Sequence, residues 1–193
     1  MVAEPHLDLT PEAYLELERQ SEAKHEYIDG TLVAMAGASA NHSRIQFNLI
    51  ANLKPQLRPN GCFGYGSDMR VKSGAFSIYS YPDLSVVCGK PEYGQDRPET
   101  LLNPILLIEI LSPATERYDR GKKFAHYRRI PALKEYVLVA QDAPLIEHYV
   151  RQPDGTWRWA AVEGLDETIA LTTIGCTLPL AEVYDQVEFS TEE

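Results

Sequence analysis

The chain of 193 residues is short of several things at once. No apolar run approaches the roughly 18 residues that a membrane-crossing helix needs, so no membrane partner is expected. The acidic N-terminus lacks a basic and apolar leader, so no signal peptide is expected and the protein reads as cytoplasmic. Cysteine is scarce: Cys62, Cys88 and Cys176 lie far apart and never in C-x-x-C spacing. That pattern offers no zinc site and predicts three reduced, half-buried thiols. Positive charge is also scarce, with 18 Lys and Arg against 28 Asp and Glu and a formal net charge of −10. Taken alone, that balance argues against a nucleic-acid partner, because phosphate affinity comes largely from Lys and Arg.

The distribution of charge weakens that objection. Residues 1–31 carry eight acids and two bases, and residues 153–193 carry nine acids and one base. Residues 113–134 carry seven bases and two acids, and residues 44–72 carry five bases and one acid. The middle of the chain is basic and its ends are acidic, a pattern compatible with a focused binding face or with an ordinary solvated helix surface.

The local signals come in a clear order. Thr10-Pro11-Glu12 has the cap, the first-turn proline and the acid of a helix start, with Tyr14, Leu15 and Leu17 turned inward. Asp29-Gly30 between two short apolar runs predicts a hairpin over residues 26–33. Ile45, Leu49, Ile50 and Leu53 recur at helical spacing, bent or ended by Pro55 and closed by Pro59-Asn60-Gly61. Strands are expected near residues 62–65, 68–72, 84–88, 105–111 and 135–139, with a long surface loop over 89–104. A helix over 118–129 closes at Pro131. Hairpin strands over 146–150 and 157–162 follow, with Trp157 and Trp159 expected on opposite faces. A short strand near 168–171 and a short helix after Pro179 end the list. A helix, antiparallel strands and a strand–helix–strand crossover make an α/β sandwich with a mixed central sheet flanked by helices. One domain is expected over 1–193, with a core over 8–186 and an acidic tail over 187–193.

Asp83 and Glu109 stand out against this background. Asp83 follows Pro82 at the mouth of a strand, and Glu109 interrupts the apolar run Ile105-Leu106-Leu107-Ile108. A carboxylate buried in such a strand requires a compensating cation, either a divalent metal or a basic side chain. Lys123 lies on the next helix, and about 100° per residue separates it from Lys122. Only Lys123 shares a face with Asp119 and Tyr127, at i−4 and i+4. Two carboxylates and a lysine are the parts that hold a divalent ion and stabilise charge at a phosphodiester; the plain alternative for Lys123 is a surface pair with Asp119.

Several stretches carry a resemblance in addition. They are Glu26-Tyr27-Ile28-Asp29-Gly30, Met35-Ala36-Gly37-Ala38 with Asn41-His42, Gly66-Ser67-Asp68-Met69-Arg70-Val71, Tyr81-Pro82-Asp83, residues 107–113, residues 118–127, and Ile174-Gly175-Cys176. In this order and spacing the chain resembles the "putative restriction endonuclease" family of the PD-(D/E)XK nuclease superfamily. The resemblance implies a restriction-endonuclease-like fold and an Mg2+-dependent endonuclease, with Mn2+ as a substitute ion and DNA as substrate; RNA stays open. It implies metal ligation by Asp83, Glu109 and Glu26, assistance by Lys123, and a phosphate- or water-contacting role for His42. The superfamily lysine two residues after the second acid is absent, since Leu111 stands there. Thr31 and Lys122 stand where the family often has acids. Two further readings are a catalytically silent, nuclease-like binding module and a homodimer formed through the tryptophan hairpin.

Overall fold

The structure is a computed structural model that describes residues 9–35, 37–73 and 78–189. Ala36 and residues 190–193 of the expected tail lie outside the described residues. Helix α1 (Pro11–Gln20) is capped by the Thr10 side chain, which accepts from the Ala13 N–H. Tyr14 and Glu18 are its buried residues, whereas Leu15 and Leu17 are only half-buried. Strands β1 (His25–Ile28) and β2 (Thr31–Ala34) form the expected hairpin. Its turn residues Asp29 and Gly30 have φ of 47° and 87°, the left-handed pair that a two-residue hairpin of this twist requires.

Helix α2 (Ala40–Leu57) starts at Ser39, whose hydroxyl accepts from the His42 N–H. It runs through Pro55 to Leu57 and passes into a 3-10 turn at Arg58–Asn60. The carbonyl left without a donor by Pro55 belongs to the exposed Ala51, where water can satisfy it. Ile45, Leu49, Leu53 and Leu57 are buried in a single stripe.

That stripe covers one face of a six-stranded sheet ordered β11-β10-β9-β8-β6-β3. Its members are β3 (Cys62–Gly66), β6 (Leu84–Cys88), β8 (Leu106–Ile110), β9 (Glu135–Val139), β10 (Leu145–Arg151) and β11 (Trp157–Glu163). Only β8 and β9 run parallel within it, and the crossover between them carries the segment 116–127. The second sheet, β2-β1-β5-β4-β7, adds β4 (Arg70–Ser73), β5 (Ile78–Ser80) and β7 (Thr100–Leu101). A ribbon of β12 (Thr168–Leu171) and β13 (Cys176–Pro179) and a short helix α5 (Leu180–Val183) complete the described fold.

Alternation along β8 sends Leu106, Ile108 and Ile110 to the α2 side and Leu107 to the other, where Val71, Leu101, Tyr127 and Tyr136 pack. Glu109 shares the face of Leu107. This parity aims a carboxylate at the crossover segment rather than at α2.

Several expectations require correction. The crossover helix is three joined pieces: α3 (Glu116–Tyr118), a π-helical turn at Asp119–Lys123, and α4 (Phe124–Tyr127). The 89–104 loop contributes β7 to a sheet and is pinned by buried Arg70, which donates to Asp96 at 2.5 Å, to Thr100 at 2.8 Å and to the Pro98 carbonyl at 2.9 Å. Cys62 and Cys88 are not free thiols. They are directly opposed on β3 and β6 and joined by a disulfide, and only Cys176 is free. Separation in sequence hid this, because only the pairing of β3 with β6 brings them together. Trp157 and Trp159, two residues apart on one strand, share a face rather than opposing each other. Trp157 meets the Phe124 ring at 5.3 Å, and Trp159 donates to Glu147 while staying 56% exposed.

Candidate active site

The π-helical turn places Lys123 where the crossover faces β1 and β8. Its ammonium lies 2.9 Å from Glu109 Oε1, 3.1 Å from Glu26 Oε1 and 3.5 Å from Asp119 Oδ1. All four residues are buried. Asp119 and Lys123 therefore form no surface pair, and Lys122 is exposed outside the cluster. A π turn inside a helix is a frequent mark of a functional position.

The second-layer contacts are equally specific. The Tyr127 hydroxyl donates to Glu109 Oε1 at 2.8 Å and lies 2.9 Å from Ser80 Oγ. Glu26 Oε1 also accepts from the Tyr81 N–H at 3.3 Å. Asp83 enters from the loop before β6; its Oδ2 accepts from the Ile110 N–H at 2.7 Å and its Oδ1 faces His42 Nε2 at 3.2 Å. Gln46, one turn beyond His42 on α2, donates to the Asp83 carbonyl at 2.9 Å. A cavity of about 700 Å³ collects Glu26, His42, Gln46, Asp83, Glu109, Tyr118, Asp119, Lys123 and Gln141 on its walls.

Charge in this cavity is coupled. Burial pushes the Glu109 carboxyl well above its usual range, against the pull of Lys123 and with help from Asp119, Asp83 and Glu26. Burial likewise raises Asp119, again opposed by Lys123. Burial alone would discharge Lys123, yet Glu109 and Glu26 outweigh it and hold the ammonium charged. Glu109, Asp119 and Lys123 are thus coupled in their protonation. Two polar atoms of residues that line this cavity, Tyr118 Oη and His42 Nδ1, are buried without a hydrogen-bond partner among the described residues.

The site brings together all five residues singled out in the sequence: Glu26, Asp83, Glu109, Lys123 and His42. It adds Asp119 and Tyr127, which share the helix face of Lys123, and Tyr118, Gln46 and Gln141, which no local pattern in the sequence marks. The i−4 spacing of Asp119 from Lys123 was the available signal, and its burial was not. Among the described residues, no group of three His, Cys, Asp or Glu side chains converges in a ready metal-ligand arrangement. The donor set is nonetheless the oxygen-rich one that hard divalent cations take. Its carboxylates outnumber the single ammonium among them, so the donor chemistry, though not the present arrangement, suits such an ion.

The fold has a counterpart among solved structures. A crystal structure described as a putative nuclease belonging to DUF820, from Anabaena variabilis, superposes with a TM-score of 0.76 at 20% sequence identity, covering 93% of this chain and 99% of that one. The chain belongs to the Uma2 family, described as "Putative restriction endonuclease", whose sequence model matches residues 11–181. Two relatives from Synechocystis sp., both described as uncharacterized, match as well. Protein slr1290 is 35% identical over 187 residues, 96% of each chain. Protein sll1609 is 37% identical over 149 residues, 77% of this chain and 84% of that one. No described helix is long and apolar enough to cross a membrane.

Proposed function

We propose that the protein is a metal-dependent endonuclease that hydrolyses phosphodiester bonds in DNA. The observation that carries this reading is the buried cluster of Glu26, Glu109, Asp119 and Lys123 opening with Asp83 into one cavity. Asp83, Glu109 and Glu26 would hold the cation, Mg2+ or Mn2+, and Asp119 adds a fourth carboxylate beside them. When bound, the ion supplies Lewis-acid polarisation of the phosphoryl oxygen and lowers the pKa of a water.

The chain's own residues do the rest. Lys123, held charged, donates to the oxygen on which negative charge develops; a permanently protonated ammonium is a donor and not the general base. Tyr127 and Ser80 fix the Glu109 carboxylate from behind, and the Ile110 N–H and His42 fix Asp83. With both Asp83 oxygens already engaged, its orientation needs little reorganisation on ion binding. Protonated Tyr118, its hydroxyl raised by burial, offers a neutral donor to a non-bridging phosphate oxygen.

One observation favours the second reading, a silent binding module: Lys123 itself occupies the space between Glu26 and Glu109 as an internal cation. Incubation with supercoiled plasmid and Mg2+ or Mn2+ separates the two. Nicking that disappears with EDTA, Asp83→Ala and Lys123→Ala supports the nuclease. A folded wild type that cuts neither plasmid, single-stranded DNA nor RNA supports the module.

A further inference from the structure

The cavity walls carry the carboxylates of Glu26, Asp83, Glu109 and Asp119, and among the described residues that line it the only Lys or Arg side chains are Lys24 and Lys123. These two lysines are in different situations. The Lys123 side chain is 8% exposed and lies among the acids it neutralises. The Lys24 side chain is 40% exposed. A polyanion entering this acidic cavity therefore meets one solvent-facing ammonium on its walls.

Lys24 is positioned by the same hairpin that supplies Glu26. The Met35 N–H donates to the Lys24 carbonyl at 3.1 Å and so continues the β1–β2 ladder by one residue. Residues two apart on an extended strand share a face and stand about 7 Å apart. Lys24 thus shares the face of Glu26, one repeat nearer to solvent. Tyr81 touches both: its N–H donates to Glu26 Oε1, and its ring centre lies 5.7 Å from the Lys24 ammonium. The ammonium donates to the Ser67 carbonyl at 3.1 Å and to Asp68 Oδ1 at 2.7 Å, which leaves one of its three donors for a ligand. Ser67 lines the same cavity, whereas the Asp68 side chain is 95% exposed. An ion pair this open stabilises a fold by at most about 1 kcal/mol. Moving the ammonium from Asp68 to a phosphate therefore costs the protein little.

We propose, resting on the nuclease reading, that Lys24 binds the phosphate next to the scissile one on the cleaved strand, and that Asp68 is the counter-ion it leaves when substrate arrives. On that reading the scissile phosphate sits at Lys123 and the carboxylates. A step of about 7 Å along β1 towards the mouth then leads to a neighbouring phosphate of the same strand. The substrate class that follows is an internal phosphodiester of a polynucleotide, one with a charged neighbour. A diester whose flanking linkages are uncharged gives Lys24 nothing to hold. Lys24 is in this sense a substrate-positioning residue: it contributes to binding through charge and not to the bond-breaking step.

The test pairs protein variants with two fluorescein-labelled DNA duplexes, one with ordinary linkages and one in which every second linkage is an uncharged methylphosphonate. KM and kcat are measured with Mg2+, and Kd by fluorescence anisotropy in EDTA. On the ordinary duplex, Lys24→Gln should raise KM and Kd about tenfold, as for the loss of a charged hydrogen bond, with a smaller change in kcat. It should also flatten the dependence of log affinity on log salt by about 0.9, one phosphate's worth. Lys24→Arg should restore most of the affinity, since a guanidinium also binds phosphate. On the alternating duplex the Lys24→Gln loss should shrink at least about fivefold. Asp68→Asn should tighten binding of the ordinary duplex about threefold, a gain that mostly disappears in the Lys24→Gln background. Circular dichroism checks that each variant is folded. If the wild type cuts DNA but Lys24→Gln leaves KM, Kd and the salt slope unchanged, or loses as much on the alternating duplex as on the ordinary one, the assignment of Lys24 is overturned and the nuclease reading stands. If the wild type neither binds nor cuts either duplex, nor plasmid, single-stranded DNA or RNA, the nuclease reading falls and this proposal falls with it.

Discussion

Replacing Lys123 by Met keeps most of the side-chain volume and removes the charge between Glu109, Glu26 and Asp119. The three oxygens at 2.9, 3.1 and 3.5 Å then face one another without a cation. Removing one partner of a buried ion pair costs about 3–5 kcal/mol, chiefly because the remaining charge is stranded. The variant has one escape, which is to take up protons. Glu109 already leans that way, its carboxyl raised by burial. An acid whose folded-state pKa is raised binds a proton in the folded state that the unfolded chain releases. Its folded form is therefore most favoured below the unfolded value of about 4.3 and loses ground as pH rises towards the folded value. Each pH unit in that window costs about 1.4 kcal/mol per group. Urea unfolding in EDTA should thus show a loss of about 3–5 kcal/mol at pH 8, shrinking by more than half at pH 5. An equal loss at both pH values, or one below about 1 kcal/mol at pH 8, would refute the claim that Lys123 neutralises a buried acidic cluster.

Other consequences are checkable in the same way. Tyr127→Phe removes the donor to Glu109 and should cost about 1.5–3 kcal/mol in urea while lowering kcat more than it changes KM. Asp96 has its carboxyl lowered: burial pushes it up, but hydrogen bonds from Thr100 and Arg70 outweigh this. Its contribution is present above the unfolded pKa and lost as pH falls through the folded one. The urea-midpoint difference between wild type and Asp96→Asn should therefore be full at pH 7 and vanish in acid, and a difference that persists there would count against the Arg70 tie. Reducing Cys62–Cys88, separated by 26 residues, should lower unfolding stability by about 3.5 kcal/mol on the loop-entropy account. An unchanged urea midpoint in dithiothreitol would show that the crosslink constrains little.

Where a signal was local, the sequence showed it plainly: the Thr10 cap, the Asp29-Gly30 turn, the stripe of Ile45, Leu49 and Leu53, and the apolar run around Glu109. These depend on residues within a few positions of one another. Legibility ends where partners are distant along the chain. β5 and β7 are three and two residues long and exist because neighbouring strands complete them. The disulfide and the Arg70 anchor join segments that only tertiary folding aligns. Within the site, Asp83, Glu109 and Lys123 stood out because each conflicts with its surroundings or sits at a telling spacing. Asp119 and Tyr127 did not, because burial distinguishes them and burial has no one-residue signature. The π turn was invisible for the same reason, since no propensity marks the residues at 119–123.

The site is assembled from places far apart along the chain. Glu26 stands on β1, Asp83 before β6, Glu109 on β8 and Lys123 on the crossover, so its members are held together only by contacts of long sequence separation. Such contacts close late in folding. A chain still emerging from the ribosome, or clipped anywhere between Glu26 and Lys123, holds an incomplete set of acids with no ammonium among them. If the cavity cuts nucleic acid as proposed, it can do so only once β1, the loop before β6, β8 and the crossover are all in place.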